Sequence, residues 1–274
     1  MIPDITIAGM GVTAIVQVTP QTERRIRQCR EALHVDSGAG TQEFLTARCP
    51  AVRSLYGLTY GEASSRVSGY HAAAAAVIEA AMDHGPVIYL THGHPLVFCY
   101  APFLIRDMAE LLGLSIELIP GISSMDSLFA DLWLDPGVRG IQMFEATDLL
   151  LRQRQLQPDV PALIWQVGNL ETRLYTTRTS RPARLTRFRD WLLQTYPPAH
   201  PITACYSMPH PIGGAQRWCF PLSEITEHAA ALHPGITLYV PPCTVRPVLD
   251  FGLLSVLDSP EHLDAITVPE QSTE

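Results

Sequence analysis

The sequence predicts an α/β fold made of two α/β domains. Short runs of strand-forming residues alternate with stretches of helical periodicity along nearly the whole chain, a pattern typical of sheets covered by helices. The length of 274 residues fits two domains of modest size. A composition of 47% hydrophobic and 17% charged residues is that of a soluble globular protein whose core needs neither disulfides nor a metal.

In the first half, each predicted strand runs into a turn that contains glycine. These strands lie at 5–8, 86–91 and 115–119. Thr19 and Pro20 predict the start of a helix, because threonine is a good N-cap and proline suits the first helical position. Longer helices are predicted at 61–84, which carries a run of alanines, and at 101–112.

A change in the pattern near residue 121 indicates a domain boundary. Turns at 120–121 and 135–137, both of which contain proline and glycine, bracket a short predicted helix at 123–132. We therefore expect an N-terminal α/β domain of residues 1–121 and a C-terminal α/β domain of residues 122–257.

The C-terminal domain continues the alternation of strands and helices. Its predicted strands lie at 140–144, 162–167, 202–206, 217–220 and 236–240. Its predicted helices lie at 184–196 and 222–232. Residues 258–274 are acidic and polar, and we expect them to form a loosely held tail.

The charged residues exclude several classes of protein. A formal net charge of -8 argues against a nucleic-acid-binding protein, because phosphate contacts need a basic face. All 19 basic residues are arginine. Without lysine, the chain can hold neither a Walker-type phosphate loop nor the amine of a Schiff-base enzyme.

Cysteine spacing and hydropathy indicate a cytoplasmic protein. The six cysteines form no CxxC pair, so they support neither a zinc site nor a disulfide framework. Residues 1–19 lack the basic start of a signal peptide. No apolar run reaches the roughly 18 residues that a membrane span needs. We expect a soluble protein with reduced thiols, no metal and no membrane or nucleic-acid partner.

Two glycine-containing turns that follow strands are candidate ligand loops. The Gly-Met-Gly turn at 9–11 lacks the third glycine of a dinucleotide-binding fingerprint, but its glycines allow close approach to a ligand or a tight chain crossing. The His-Gly-His-Pro segment at 92–95 lacks a third metal ligand at companion spacing. This favours a cofactor loop, with Val97 and Cys99 alternating toward it.

Arg66 and Tyr70 share one face of the long predicted helix, because they are four residues apart. Tyr56 and Tyr60 lie shortly before them. The pair is either a stacked surface contact, which spacing alone favours, or part of an acid–base cluster. In such a cluster the guanidinium would lower the pKa of the phenol from its ordinary value of about 10.

Polar residues at the ends of other elements have two possible uses. Ser123 and Ser124 stand at a predicted helix N-terminus, where helix capping and ligand contact are the alternatives. Gln166 ends a predicted strand, and there a solvated terminus and a ligand contact are equally compatible with the spacing.

Taken in order, these motifs resemble the tetrapyrrole (corrin/porphyrin) methylase superfamily. The likeness rests on the strand followed by a GxG turn, the GHPxVF segment at 93–98 and the Pro-Gly-Ile-Ser-Ser turn at 120–124. Other stretches resemble the borosin peptide N-methyltransferases within that superfamily. They are Arg66-x-x-x-Tyr70, Phe-Ala-Asp-Leu at 129–132 with the turn at 135–137, Phe-Glu-Ala at 144–146, Trp-Gln-Val at 165–167 and Pro-Pro at 241–242.

This resemblance implies that S-adenosylmethionine binds in the cleft between the two domains and leaves as S-adenosylhomocysteine. It also implies a homodimer that methylates backbone amides of a ribosomally made peptide. Fused members carry that peptide as their own C-terminal extension. Residues 258–274 contain no apolar core peptide, so the chain resembles a split member that acts on a separate precursor peptide or protein.

The resemblance implies roles for individual residues. Tyr70 would be the base or proton relay, and Arg66 would hold its phenolate and offset charge on the amide oxygen. The implied catalytic residues are Arg66, Tyr70, Tyr56, Tyr60 and His92. The implied cofactor-binding residues are Gly9, Gly11, His92, His94, Val97, Cys99, Ser123, Ser124, Gln166, Met208 and Thr237. His92 stands where family members usually carry tyrosine, and either Tyr56 or Tyr60 fits the other upstream tyrosine.

Two other functions remain as alternatives. A tetrapyrrole methyltransferase of the same fold usually shows a GPGD first loop and a GDP segment, where this chain has Gly-Val-Thr-Ala at 11–14 and GHP at 93–95. Both differences favour the peptide enzyme. A non-catalytic peptide-binding homologue is suggested by His92 alone.

Overall fold

The computed structural model describes residues 2–62, 64–210 and 212–268 and contains two five-stranded sheets with helices around them. The predicted α/β class is confirmed. Within those three ranges, no helix is long and apolar enough to cross a membrane.

The first sheet is parallel throughout, in the order β3-β2-β4-β1-β5. Strands β1 to β5 are Ile5–Gly9, Glu31–His34, Ala51–Ser54, Val87–Thr91 and Ile116–Ile119. The sequence predicts β1, β4 and β5 but not β2 and β3. These two strands are four residues long and carry charged side chains, and Glu31 is buried only because Arg53 and His84 pair with it.

Helices α1 to α6 cover the first sheet and lead away from it. They are Pro20–Ile26, Thr41–Thr46, Tyr56–Thr59, Arg66–His84, Ala101–Leu112 and Ser124–Leu132. Thr19 caps α1 as expected, because its hydroxyl accepts a hydrogen bond from the Thr22 amide. The long helix α4 begins at Arg66 rather than at residue 61. The chain before it is held extended by a hydrogen bond from the Tyr175 amide to the Ser64 carbonyl.

Three glycines allow the loops after β1, β4 and β5 to cross. A Cβ atom at Gly9 would lie 2.2 Å from the Gly93 carbonyl oxygen and 2.9 Å from the Gly121 Cα. Of the two uses open for glycine at this turn, the tight chain crossing is the one observed at Gly9.

The second sheet is mixed, in the order β6-β7-β10-β8-β9. Strands β6 to β10 are Gln142–Glu145, Ala162–Trp165, Pro201–Tyr206, Gln216–Pro221 and Thr237–Val240. Only β6 and β7 are parallel. Helices α7 to α11 are Pro136–Arg139, Ala146–Leu151, Ala183–Leu192, Phe251–Val256 and Pro260–Ile266. Leu128 of α6 packs on this sheet against Leu163 and Cys205.

Two predictions for the second half need correction, and the predicted tail is described only in part. Strand β7 ends at Trp165 rather than at residue 167, because Gln166 has a φ of 59° and turns the chain away. The predicted helix at 222–232 is a 3-10 turn at Leu222–Glu224 followed by turns, although its buried residues keep helix-like spacing. The predicted tail at 258–274 contains α11, and its residues 269–274 lie outside the described ranges.

Candidate active site

A cavity of about 520 Å³ opens where loops of the two sheets meet, and we call it the cleft. Its volume is typical of small-molecule sites, which hold roughly 300–1,000 Å³. One part of its wall is apolar and consists of Val12, Val35, Val97, Phe98, Leu128 and Trp165. The rest carries hydroxyl, amide, imidazole and carboxyl groups from both halves of the chain. The cleft can therefore enclose a ligand that is partly apolar and partly polar.

The cleft brings together part of the predicted site. The predicted residues that line it are Tyr56, Tyr60, His92, Val97, Ser124, Gln166 and Thr237. The predicted residues that do not line it are Gly9, Gly11, Arg66, Tyr70, His94, Cys99, Ser123 and Met208. Both tyrosines that fit the upstream position thus reach the cleft.

Of the two serines at the start of α6, one caps the helix and the other lines the cleft. Ser123 is the N-cap, in a reciprocal capping box with Asp126. Ser124 lines the cleft, and its hydroxyl accepts a hydrogen bond from the Trp165 indole at 3.0 Å.

Gly11 shapes the loop that follows β1. Its φ is +81°, and a Cβ atom there would lie 2.3 Å from Gln17 Cβ. The Gln17 side chain oxygen accepts hydrogen bonds from the Val12 and Thr13 amides at 2.7 and 2.9 Å. These amides are therefore occupied inside the chain, and Val12 is the residue that faces the cleft.

Other predicted cofactor residues also support the loops. His94 Nδ1 accepts a hydrogen bond from the Leu96 amide and stabilises the turn after β4. The Met208 carbonyl accepts from the Thr13 hydroxyl and holds the first loop. Burial raises the pKa of Cys99 to about 12, so its thiol stays protonated at neutral pH.

Two residues of the cleft wall are held in a strained backbone conformation. Phe98 and Gln166 have φ values of 53° and 59°, in the left-handed region that non-glycine residues rarely adopt. Both residues lie in loops, and the surrounding structure holds them in this conformation. The Phe98 ring and the Gln166 amide both line the cleft. Strain of this kind clusters at functional sites, which marks this wall as a candidate binding surface.

Three phenols form one end of the cleft. The ring centroids of Tyr56 and Tyr60 are 4.9 Å apart, and those of Tyr60 and Tyr175 are 5.3 Å apart. Burial raises the pKa of Tyr60. A hydrogen bond with Tyr56, together with burial, raises the pKa of Tyr175 to about 12. Tyr60 and Tyr175 are therefore protonated at neutral pH and can donate hydrogen bonds.

Arg66 binds residues of the second half of the chain rather than the phenol of Tyr70. It donates from Nη1 to the Gln166 side chain oxygen and from Nη2 to the Thr172 carbonyl, both at 2.9 Å. Burial raises the pKa of Tyr70 by more than the charge of Arg66 lowers it. The expected lowering of this pKa is wrong, because the phenol packs against the core of the first sheet.

His92 forms a hydrogen-bonded pair with a buried carboxylate. Its Nδ1 lies 3.0 Å from Asp36 Oδ1, and the Asp36 side chain is only 3% exposed. The other carboxylate oxygen accepts from the Thr41 hydroxyl at 2.6 Å and from the Gly38 amide at 3.3 Å. Burial disfavours the charged carboxylate, but the hydrogen bonds from His92 and Thr41 outweigh burial and lower the pKa of Asp36.

Sequence analysis missed Asp36, Tyr175 and Tyr206, because none of them belongs to a motif. Asp36 follows the unpredicted strand β2, and Tyr175 lies in a long irregular segment far along the chain. A polar residue directly after the apolar Val35 is the only local signal for Asp36. In the part of the chain that the structure describes, no group of three or more His, Cys, Asp or Glu side chains could hold a metal ion.

The chain has relatives among characterised families. Residues 4–208 match the sequence profile of the tetrapyrrole (corrin/porphyrin) methylases. The chain is 27% identical to a methyltransferase/ribosomally synthesized type II borosin cyclic peptide precursor of Phlebiopsis gigantea, over 88% of this chain and 43% of that protein. It is 26% identical to a type I borosin precursor protein of the same kind from Gymnopilus junonius, over 89% of this chain and 58% of that protein. The chain thus spans about half the length of these curated relatives.

Solved structures share the fold. Uroporphyrin-III-C-methyltransferase from Thermus thermophilus matches with a TM-score of 0.62 at 17% identity, over 88% of this chain and 93% of that one. A structure of the Thermus thermophilus enzyme complexed with S-adenyl homocysteine matches with a TM-score of 0.60 at 16% identity, over 86% of this chain and 96% of that one. At such identities the likeness concerns the fold.

Proposed function

The chain belongs to the tetrapyrrole (corrin/porphyrin) methylase family, a family of methyltransferases, and from that premise we propose that it methylates backbone amide nitrogens of a ribosomally made peptide. The profile match covers well over half of the chain and confirms the resemblance drawn from the motifs. The observation that carries the proposal is the row of phenols beside His92 in the cleft. The borosin precursor proteins among the relatives support a peptide as the substrate.

The cleft suits S-adenosylmethionine as the methyl donor. The rings of Phe98 and Trp165, with centroids 5.0 Å apart, offer faces for an adenine and for a sulfonium cation. Hydroxyl and amide groups for the polar parts would come from Ser124, Gln166 and Thr237. The donor, when bound, supplies an activated methyl group, so the reaction needs no metal.

An amide nitrogen needs help to react because its lone pair is delocalised into the carbonyl. Protonated phenols can donate hydrogen bonds to the amide oxygen and stabilise the negative charge that develops there. Tyr60, which lines the cleft, has this role. Arg66 orients Gln166 and contributes positive charge near the cleft.

Mass spectrometry tests the substrate class directly. With S-adenosylmethionine, the protein should add methyl groups to the backbone nitrogens of a candidate precursor peptide encoded beside its gene. The fold neighbours favour a tetrapyrrole methyltransferase as the second candidate. Methylation of uroporphyrinogen III, with no reaction on any candidate peptide, would decide for that alternative.

Binding of S-adenosylhomocysteine should be independent of metal and sensitive to Trp165. In the presence of EDTA, calorimetric titration should detect binding. Trp165→Ala should weaken this binding roughly 5- to 100-fold, since base–aromatic stacking is worth about 1–3 kcal/mol. Trp133→Ala is the matched control, because Trp133 is 91% exposed and lies outside the cleft. Loss of binding in EDTA, or equal weakening by both variants, contradicts this placement of the donor.

We also propose that the protein is a homodimer whose C-terminal segment, residues 245–268, packs on a second copy. Within this segment, α10 and α11 bury no side chain against their own chain. Its exposed apolar residues are Val245, Val248, Leu249, Phe251, Leu253, Leu254, Leu257, Leu263, Ile266 and Val268. So many exposed apolar residues within one segment are typical of a protein interface.

The double variant Leu249→Asp/Leu257→Asp should be a monomer in light scattering after size exclusion, whereas the wild-type protein should be a dimer. Charged residues cannot be buried at an interface without partners, so association is lost. Leu111→Asp/Met82→Asp gives a matched control at exposed apolar positions outside the segment. A monomeric wild-type protein, or a dimeric segment variant, contradicts the proposal.

A further inference from the structure

We infer that Asp36 positions His92 as the base that removes the proton from the substrate amide, an assignment that rests on the proposed function. The assignment adds Asp36, which belongs to no motif, to the site. It also moves the role of base away from the phenol of Tyr70.

The protonation states follow from the contacts of Asp36. One of its oxygens faces His92 Nδ1, and the other accepts from Thr41 and Gly38. An ionised carboxylate can only accept hydrogen bonds, so Nδ1 must carry the proton that is donated. In neutral His92 the lone pair then resides on Nε2. Among the described residues, Nε2 has no hydrogen-bond partner, and the His92 side chain is 51% exposed and lines the cleft.

The other ionisable groups that line the cleft are less suited to this role. They are Tyr56, Tyr60, Tyr175, Tyr206 and His210. Burial raises the pKa of Tyr60 and Tyr206, and Tyr175 and Tyr56 share a hydrogen bond. His210 is exposed, and the structure gives it no carboxylate partner within the described ranges. Asp36 itself is buried, with both oxygens engaged.

The step balances without a further reactant. The amide N–H bond breaks, the proton moves to His92 Nε2, and the electron pair stays on nitrogen. That pair forms the new N–CH₃ bond while the electrons of the methyl–sulfur bond leave with sulfur. The imidazolium is stabilised by the Asp36 carboxylate and then releases its proton to water through the exposed side of the ring.

Methylation kinetics across pH give the first test. His92→Gln should lower kcat roughly 10²–10⁴-fold, the usual effect of losing a proton-transfer group. Asp36→Asn should cause a smaller loss and move the acid limb of the kcat profile to lower pH, because the charge that stabilises the imidazolium is gone. KM for the peptide should change little in either variant. His84→Gln is the matched control. His84 Nε2 also pairs with a carboxylate, lying 2.9 Å from Glu31 Oε2, but neither residue lines the cleft.

A readout that does not depend on turnover separates this inference from the proposed function. Nitrogen-15 shifts of the His92 ring in the wild-type protein should show the proton on Nδ1, and Asp36→Asn should shift the population toward the other tautomer. A proton on Nε2 in the wild-type protein overturns the inference, whatever the substrate is. So does a pH profile that responds to His210→Gln but not to His92→Gln. If the ring carries its proton on Nδ1 but no peptide is methylated, it is the proposed substrate that fails.

Discussion

Replacing Tyr60 with phenylalanine should lower the rate of peptide methylation roughly 10²–10³-fold, the usual effect of removing one donor to a developing oxyanion. Tyr60 lines the cleft, and its hydroxyl has no partner in the described part of the chain, so it is available to the substrate. Burial raises the pKa of Tyr60, which keeps the phenol a donor. Single-turnover assays with saturating S-adenosylmethionine measure the effect, and the affinity for S-adenosylhomocysteine should change little.

The pH dependence of the wild-type rate follows from the same shift. Because the folded protein disfavours the phenolate, Tyr60 should not lose its proton as pH rises through the ordinary phenol pKa of about 10. Tyr100→Phe is the control, because Tyr100 contacts the Tyr70 ring but does not line the cleft. A normal rate in Tyr60→Phe, or an equal loss in Tyr100→Phe, would show that the phenol takes no part in the chemistry.

Replacing Arg66 with methionine should weaken the binding of S-adenosylhomocysteine roughly 10- to 100-fold, in addition to slowing turnover. A hydrogen bond from a charged donor contributes about 1.5–3 kcal/mol, and Arg66 makes two such bonds, to the Gln166 side chain and to the Thr172 carbonyl. Without them, Gln166 loses the contact that holds its strained backbone and side chain in place. Calorimetry measures the affinity of Arg66→Met for S-adenosylhomocysteine. The same measurement on Tyr70→Phe shows whether an effect on binding is specific to Arg66.

Arg48→Met is the matched control for this variant. Arg48 also binds a side chain and a carbonyl, namely Glu23 and the Phe44 oxygen, but neither Arg48 nor these partners line the cleft. Arg66→Lys should restore only part of the affinity, because an ammonium cannot reproduce the two-pronged geometry of the guanidinium. If Arg66→Met binds S-adenosylhomocysteine normally and loses only turnover, Arg66 acts on the peptide, as the family resemblance implies.

Local sequence patterns predict the fold class and several candidate ligand loops. Strands β1 and β4 are apolar runs that end in glycine turns, and helix α1 opens with a threonine and a proline. Such signals depend on a few neighbouring residues, so they can be recognised without knowing which elements pack together. The His-Gly-His-Pro segment at 92–95 and the paired serines are equally local, and two of their members, His92 and Ser124, line the cleft.

Local sequence patterns do not predict strands β2 and β3, because these strands are short and carry charged residues. Glu31 is stable in the sheet only through Arg53 and His84, which come from elements distant in sequence. Local hydrophobic patterns cannot register such pairing. Asp36, which follows β2, was missed for the same reason.

The sequence by itself determined the α/β class, the family and the neighbourhood of His92, because these depend on residues close together in the chain. Only the tertiary structure decided which groups meet in the cleft and in which protonation state. Gly11 packs against Gln17, and Arg66 reaches Gln166 rather than the phenol of Tyr70. The pKa of Tyr70 rises rather than falls because burial, which depends on the whole fold, outweighs one neighbouring charge.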